Sequence, residues 1–214
     1  RNAPPNKADS RVEFAAQAFV GTDPQDWAAP DYFASYTPAA DVRIKGLREH
    51  HVHHGFGAAL IASRPNDGDQ PIEAHYPPEG IVRPLTAVLH FDAPGHPRLA
   101  SYDPRRGTEV ALPVGESDSA EAMRLTLAAD YSAPYAELLS RTQELASLGF
   151  AGMLDPSASE DRLGIYLLEP YDPDKTPLLM VHGLMSTPLT WIQATNDFYS
   201  EPDLRERYQV WHFL

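Results

Sequence analysis

Residues 177–191 read Pro177-Leu178-Leu179-Met180-Val181-His182-Gly183-Leu184-Met185-Ser186-Thr187-Pro188-Leu189-Thr190-Trp191. The run Pro177 to His182 is apolar without alternation, which predicts a strand buried on both faces, as a central strand covered by helices would be. Thr187 is suited to cap a helix, and Pro188 fits a first helical turn, where no backbone N–H is needed. Leu189, Ile192, Asn196 and Tyr199 follow at helical spacing. A break at Ser200 to Asp203 leads into Leu204 to Arg207, and Tyr208 to Leu214 (YQVWHFL) reads as a further buried strand. Strand, helix and strand make a βαβ unit with a right-handed crossover. Upstream, Gly164 to Pro170 (GIYLLEP) is β-favouring and is closed by the turn Asp172-Pro173-Asp174.

Working outward, short candidate strands recur between Asp41 and Ala129: Val42 to Leu47, Ala58 to Ser63, Leu85 to Phe91, Arg98 to Tyr102, Glu109 to Val114 and Met123 to Ala129. Turn formers separate them, most clearly Asn66-Asp67-Gly68, Ala93-Pro94-Gly95 and Asp103-Pro104 through Gly107. In the last strand Met123, Leu125, Leu127 and Ala129 alternate with polar residues, so one face is expected in the core. Ser10 and Glu13 have capping-box spacing ahead of Val12, Ala15, Ala16 and Phe19, which predicts a short amphipathic helix ended by Gly21. Pro134 can open another helix, with Leu138, Leu139, Thr142, Leu145 and Ala146 on one face. The organisation that results is a β-rich module over 1–154, a Ser-, Pro- and acid-rich linker over 155–162, and a second unit over 163–214.

The chain has 214 residues, with 17 Lys and Arg against 30 Asp and Glu, a net charge of −13. That field opposes nucleic-acid backbones and anionic lipid surfaces alike. No apolar stretch approaches the ~20 residues needed to span a bilayer. With no cysteine, disulfides and thiol chemistry are excluded. The first residue is Arg1 rather than Met, so we expect an upstream segment such as a signal or lipid anchor. The compartment stays open between bacterial envelope and cytoplasm.

The string LLMVHGLMSTPLTW (Leu178 to Trp191) resembles the third-strand and oxyanion-loop region of bacterial lipase-like or esterase-like α/β-hydrolases, over about the last quarter of the chain. The resemblance implies an α/β fold class: the β-rich module followed by the first strands and helix of an incomplete α/β-hydrolase core. It also implies that His182 and Gly183 end the strand. The backbone N–H of Leu184, with Met185 as runner-up, would then stabilise the oxyanion of a tetrahedral intermediate. The glycine leaves room for backbone to approach a substrate. The implied substrate is an ester, including lipid esters, and no cofactor is implied. A plain Rossmann-like βαβ unit is the alternative reading of the same string.

The nucleophile elbow G-x-S-x-G of that family does not occur in this sequence. The closest string, Gly115-Glu116-Ser117-Asp118-Ser119, lacks the closing glycine and reads as a polar turn. We therefore expect the catalytic Ser, Asp and His to lie outside this sequence, and these residues alone to be inactive. A strand as apolar as Tyr208 to Leu214 is not expected to be a natural terminus, so a further part of the chain or an assembly partner should cover 208–214. The competing function is a non-catalytic binding or scaffolding module.

Three clusters invite other chemistry. His50, His51, His53 and His54 crowd around Val52, but Glu49 is the only adjacent carboxylate, and a solvated His-rich segment is favoured over a metal site. Asp67, Asp69 and Glu73 around Gly68 lack the spacing of a calcium loop. Trp27, Tyr32, Phe33 and Tyr36 read as loop anchors against the core, and Trp191 and Trp211 as packing around the βαβ unit.

Overall fold

The computed structural model describes residues 15–19, 32–69, 71–93, 96–113, 122–141, 163–183, 186 and 188–213. Strands dominate from the start: β1 (Ala15–Phe19), β2 (Ser35–Pro38), β3 (Val52–His53), β4 (Ala58–Arg64), β5 (Ile81–Ala93) and β6 (His96–Tyr102). After the hairpin of β7 (Glu109–Pro113) and β8 (Ala122–Thr126) come β9 (Ala129–Asp130) and helix α1 (Ala133–Arg141). The last part holds β10 (Ile165–Leu167), β11 (Thr176–Val181), α2 (Ile192–Ser200), α3 (Pro202–Arg207) and β12 (Tyr208–Phe213).

The main sheet has the order β1-β6-β5-β4-β2 and is antiparallel except for β1, which runs parallel to β6. Alternation along β4 and β5 divides its core between two faces. Ile61 and Val82 pack with Ala133 and Leu138 of α1, whereas Ala62, Ile81 and Leu85 pack with Phe33, Tyr76 and Leu167. Arg83 shares the second face with Ile81 and Leu85; its guanidinium lies over the Tyr76 ring and donates to the Leu168 carbonyl at 2.6 Å. Gly57 opens β4 with φ +90, and a Cβ there would stand 2.7 Å from the Ala87 carbonyl oxygen. Only glycine fits both the conformation and the space.

The second sheet has the order β10-β12-β11, with β10 antiparallel and β11 parallel to β12. Its Tyr208, Val210 and Met180 pack against α2 through Ile192, Phe198 and Tyr199, and Tyr135 of α1 joins the same cluster. On its other face Trp211 and Ile165 pack against the Phe33–Tyr76 cluster of the main sheet.

These observations correct the expected α/β class. The fold is β-rich, built of small and mostly antiparallel sheets, with three α-helices among the described residues. The described residues do not form a parallel sheet layered between helices. Strand β11, expected to be central and covered on both faces, is an edge strand with Leu178, Leu179 and Val181 exposed at 38%, 46% and 54%. The central strand is β12, where Gln209, Val210 and His212 are buried by the chain itself. Residues 15–19, expected in a helix, form β1 instead, because parallel pairing with β6 outweighs a weak local helix preference. The expected strand at Val42 to Leu47 is a non-regular segment that follows a 3-10 turn at Ala39–Asp41.

Candidate functional site

Strand β11 ends in His182 and Gly183, where the chain leaves the sheet for the 3-10 turn Pro188–Trp191 and then α2. A parallel pair joined by a helix places such a strand end at the carboxyl edge of the sheet, where backbone amides are free to meet a ligand. Val181 lies opposite Phe213 in the β11–β12 register, and both are exposed, at 54% and 41%. They form a small apolar step beside the turn. Gly183 is exposed, and a Cβ at this position would meet no atom within 4 Å. His182 is half-buried, and its Nδ1–H donates to the Gly183 carbonyl at 3.0 Å, which ties the imidazole to its own loop. It is held as a loop residue, and no carboxylate of the described residues pairs with it. The Ser186 and Thr190 hydroxyls bond to each other across the following turn. Leu184, Met185 and Thr187 lie outside the described residues, as do the Gly115 to Ser119 string, the 155–162 linker and Trp27.

Helix α2 is fixed from outside the small sheet. Gln193 accepts the Arg48 backbone N–H at 2.8 Å and donates to the Gly46 carbonyl, and Asn196 donates to the Glu49 carbonyl at 3.1 Å. Beneath it, His212 of β12 is buried and meets the Thr195 hydroxyl through Nε2 at 3.2 Å, while its Nδ1 has no hydrogen-bond partner among the described residues. Burial lowers its pKa to about 4, because the site cannot solvate an imidazolium.

The four histidines around Val52 do not converge. His50 Nε2 meets Asp130 Oδ2 at 2.8 Å, His51 Nε2 meets Asp197 Oδ1 at 2.8 Å, and His53 Nδ1 donates to the Leu127 carbonyl at 3.2 Å. Among the described residues no three His, Cys, Asp or Glu side chains gather in a geometry that could hold a metal. Ser132 stands near His50 and Asp130, yet these are not a triad. The Ser132 hydroxyl accepts the His51 backbone N–H at 2.8 Å, and Asp130 Oδ1 accepts the N–H groups of Ser132 and Ala133 at 3.0 and 2.8 Å. That is a cap for α1. Around Gly68 the acids surround a cation, since Arg64 reaches Asp69 at 2.9 Å, Glu73 at 3.6 Å and Asp67 at 3.7 Å. Phe33 is buried in the core with Tyr32 and Tyr36 edge-on to it, at 5.0 and 6.1 Å between ring centroids.

What sequence reasoning missed is a buried polar network between the two sheets. Tyr199 donates to Glu169 Oε1 at 2.7 Å and accepts the Val210 N–H at 3.3 Å, and Lys175 stands 3.7 Å from the other Glu169 oxygen. Burial, then the Glu169 charge, holds the Tyr199 phenol well above its ordinary pKa. Asp103 and Arg105 form a two-pronged pair at 3.0 and 2.7 Å. Burial alone would raise the Asp103 pKa, but the Arg105 charge and hydrogen bonds outweigh it and hold the carboxyl below the ordinary range. The sequence shows Asp103-Pro104 to Gly107 as a turn and Tyr199 on a helix face, but not the contacts between them.

Comparison of the chain with protein-family models, with curated proteins and with solved structures finds no match. Among the described residues no helix is long and apolar enough to cross a membrane.

Proposed function

We propose that the chain contributes the oxyanion side of a serine-hydrolase site acting on esters, with the nucleophile and its acid and base partners supplied from outside these residues. The observation that carries this is the placement of His182-Gly183 at the carboxyl end of a strand parallel to its βαβ partner, with open space around the glycine. On this reading the backbone N–H of Leu184, with Met185 the alternative, receives the developing negative oxygen. The exposed Val181 and Phe213 beside the turn offer an apolar surface to the acyl or alcohol part of an ester, lipid esters included. No step in this reading needs a cofactor. The test is ester hydrolysis by the polypeptide expressed from its natural reading frame, alongside fluorophosphonate labelling. We expect p-nitrophenyl butyrate turnover, one labelled serine downstream of residue 214, and a loss of about 100-fold or more in kcat for Gly183→Val. Residues 1–214 alone should show none. A natural polypeptide that neither turns over esters nor takes the label would overturn the proposal.

A non-catalytic role in binding is favoured by a different observation, the exposed apolar edge of β11, which offers backbone groups to an added strand. In that case the same polypeptide would capture an extended peptide and leave esters untouched.

A further inference from the structure

Asp67-Gly68 is the only Asp-Gly pair in the sequence. It stands in the turn between β4 and the 3-10 turn Pro71–His75 and takes no part in the site at the end of β11. Two anchors bracket it. On one side the Asn66 amide donates to the Glu73, Tyr76 and Pro77 carbonyls at 2.9, 3.0 and 3.3 Å, and its Oδ1 accepts the Gly68 N–H at 3.3 Å. On the other side Asp69 meets Arg64 at 2.9 Å.

Between these anchors both residues of the pair face solvent. The Asp67 side chain is 62% exposed and makes no hydrogen bond among the described residues; its one ion contact there is with Arg64 Nη2, at 3.7 Å. An exposed carboxylate so loosely held changes rotamer freely. Gly68 has φ +69, and a Cβ there would meet nothing within 4 Å. With no side chain of its own and open space around it, its backbone nitrogen is accessible to the side-chain carbon of the residue before it.

Arg64 supplies the charge that such an approach requires. Asp69, Glu73 at 3.6 Å and the Pro65 carbonyl at 3.1 Å fix its guanidinium beside the Asp67 carboxyl. A cation held there stabilises the negative oxygen that forms when the carboxyl carbon becomes tetrahedral.

We propose that Asp67 is a self-modification site, at which the folded chain converts aspartate to isoaspartate through a cyclic imide. The Gly68 nitrogen bonds to Asp67 Cγ, the C–OH bond of the carboxyl breaks, and the hydroxyl leaves as water with the amide proton. Water then adds to one of the two imide carbonyls. Opening at Cγ restores aspartate. Opening at the main-chain carbon leaves the backbone running through Cγ and makes the former main-chain carbonyl a free carboxylate. Nothing is oxidised or reduced, and the mass is unchanged. The product lengthens the turn by one carbon between two anchored residues. Asn66 and Asp67 also line a cavity of about 490 Å³ with Ser35, Ser63 and Arg141, so the change reshapes its rim. Asn66 would form the same ring by losing ammonia, but its amide is fixed at both ends and should stay intact.

The test is incubation of the folded chain in oxygen-18 water at neutral pH, followed by peptide mapping with mass spectrometry and by methylation with an isoaspartyl methyltransferase and S-adenosylmethionine. We expect the heavy oxygen and the methyl group in the peptide that holds Asp67, with Asn66 unchanged. Asp67→Glu keeps the charge on an exposed position but would need a six-membered imide, so both signals should be lost from that peptide. Asp67→Asn reaches the same imide by losing ammonia and should give the same products. A wild-type chain with neither signal at Asp67 would overturn the proposal. So would signals retained in Asp67→Glu, an Asp67→Asn chain that forms no isoaspartate, or isoaspartate confined to a urea-unfolded sample.

Discussion

The neutral imidazole buried beneath α2 makes stability depend on pH in a way that can be worked out from one residue. His212 has an ordinary pKa of 6.5 when the chain is unfolded and about 4 in the fold. Above pH 6.5 both states are neutral and the fold keeps its full stability. Below it the unfolded chain binds a proton that the folded chain refuses, so stability falls as pH drops and stops falling once pH passes the folded value. Each pH unit in that window removes up to about 1.4 kcal/mol, giving a loss of about 2–3 kcal/mol by pH 4.5 that levels off below pH 4. Set against a typical domain stability of about 5–15 kcal/mol, this single group is a large fraction of the whole.

Among the described residues nothing packed around His212 relieves this cost. Its neighbours across the sheet are Tyr166 and Met180, and its one hydrogen bond among them is to Thr195. Urea denaturation at pH 7 and pH 4.5, on the wild-type chain and on His212→Gln, isolates the term. Carboxylates titrate in both proteins, whereas the imidazole titrates in one. The glutamine amide can still meet the Thr195 hydroxyl, so the variant should fold, and its acid-induced loss should be smaller by about 2–3 kcal/mol. Equal losses in the two proteins would mean that His212 is solvated or paired when charged, and the reasoning would fail.

Two further outcomes follow from the strands. Gly57→Ala forces a side chain into a left-handed conformation and against the Ala87 carbonyl, and should destabilise the chain by about 2–4 kcal/mol in thermal or chemical denaturation; a loss under about 0.5 kcal/mol would show that the β4 start can shift at no cost. Amide exchange should be slow across Trp211–Phe213, which is paired on both sides, and fast at those amides of Thr176–Val181 that face away from β12. Uniform protection of both strands would show that β11 is not an edge.

Much of the main sheet was legible because its signals are local. Turn formers such as Asn66 to Gly68 bracket alternating or apolar runs, and β4 to β8 fall where those runs predict. The residues of β1 carry no such signal, since Ala-rich segments fit a helix as readily as a strand and only the β6 edge decides. For β11 and β12 an apolar run records a preference for burial, but sheet order decides which strand obtains it. Composition alone ranked Pro177 to His182 as central, yet pairing placed β12 between β10 and β11, with Trp211 to Phe213 bonded on both sides. The candidate site follows the same division. The position of His182-Gly183 at a strand end could be read from the flanking pattern. The contacts of Asp103, Glu169, Lys175 and Arg205 could not, because each partner comes from a distant part of the chain and a lone charged residue reads as surface.

The sheet order also constrains the proposed chemistry. With β10 and β12 lying to one side of β11, the turn after His182 is walled on that side by Phe213 and the start of α2. On its other side no strand of the described residues pairs with β11, and the side chains of Leu179 and Val181 are exposed. An attacking hydroxyl has to stand within about 3 Å of a carbonyl carbon whose oxygen meets the backbone donors of the turn. Among the described residues, the unpaired edge of β11 leaves space for it. The strand that leaves apolar surface exposed is thus the strand whose end carries the proposed donors, and a single added element along that edge would cover Leu179 and Val181 and bring a nucleophile to the oxyanion site. Folding and catalysis would then depend on the same pairing, so substitutions that block strand addition at β11, such as Leu179→Pro, should cost the natural polypeptide its esterase activity and its solubility together.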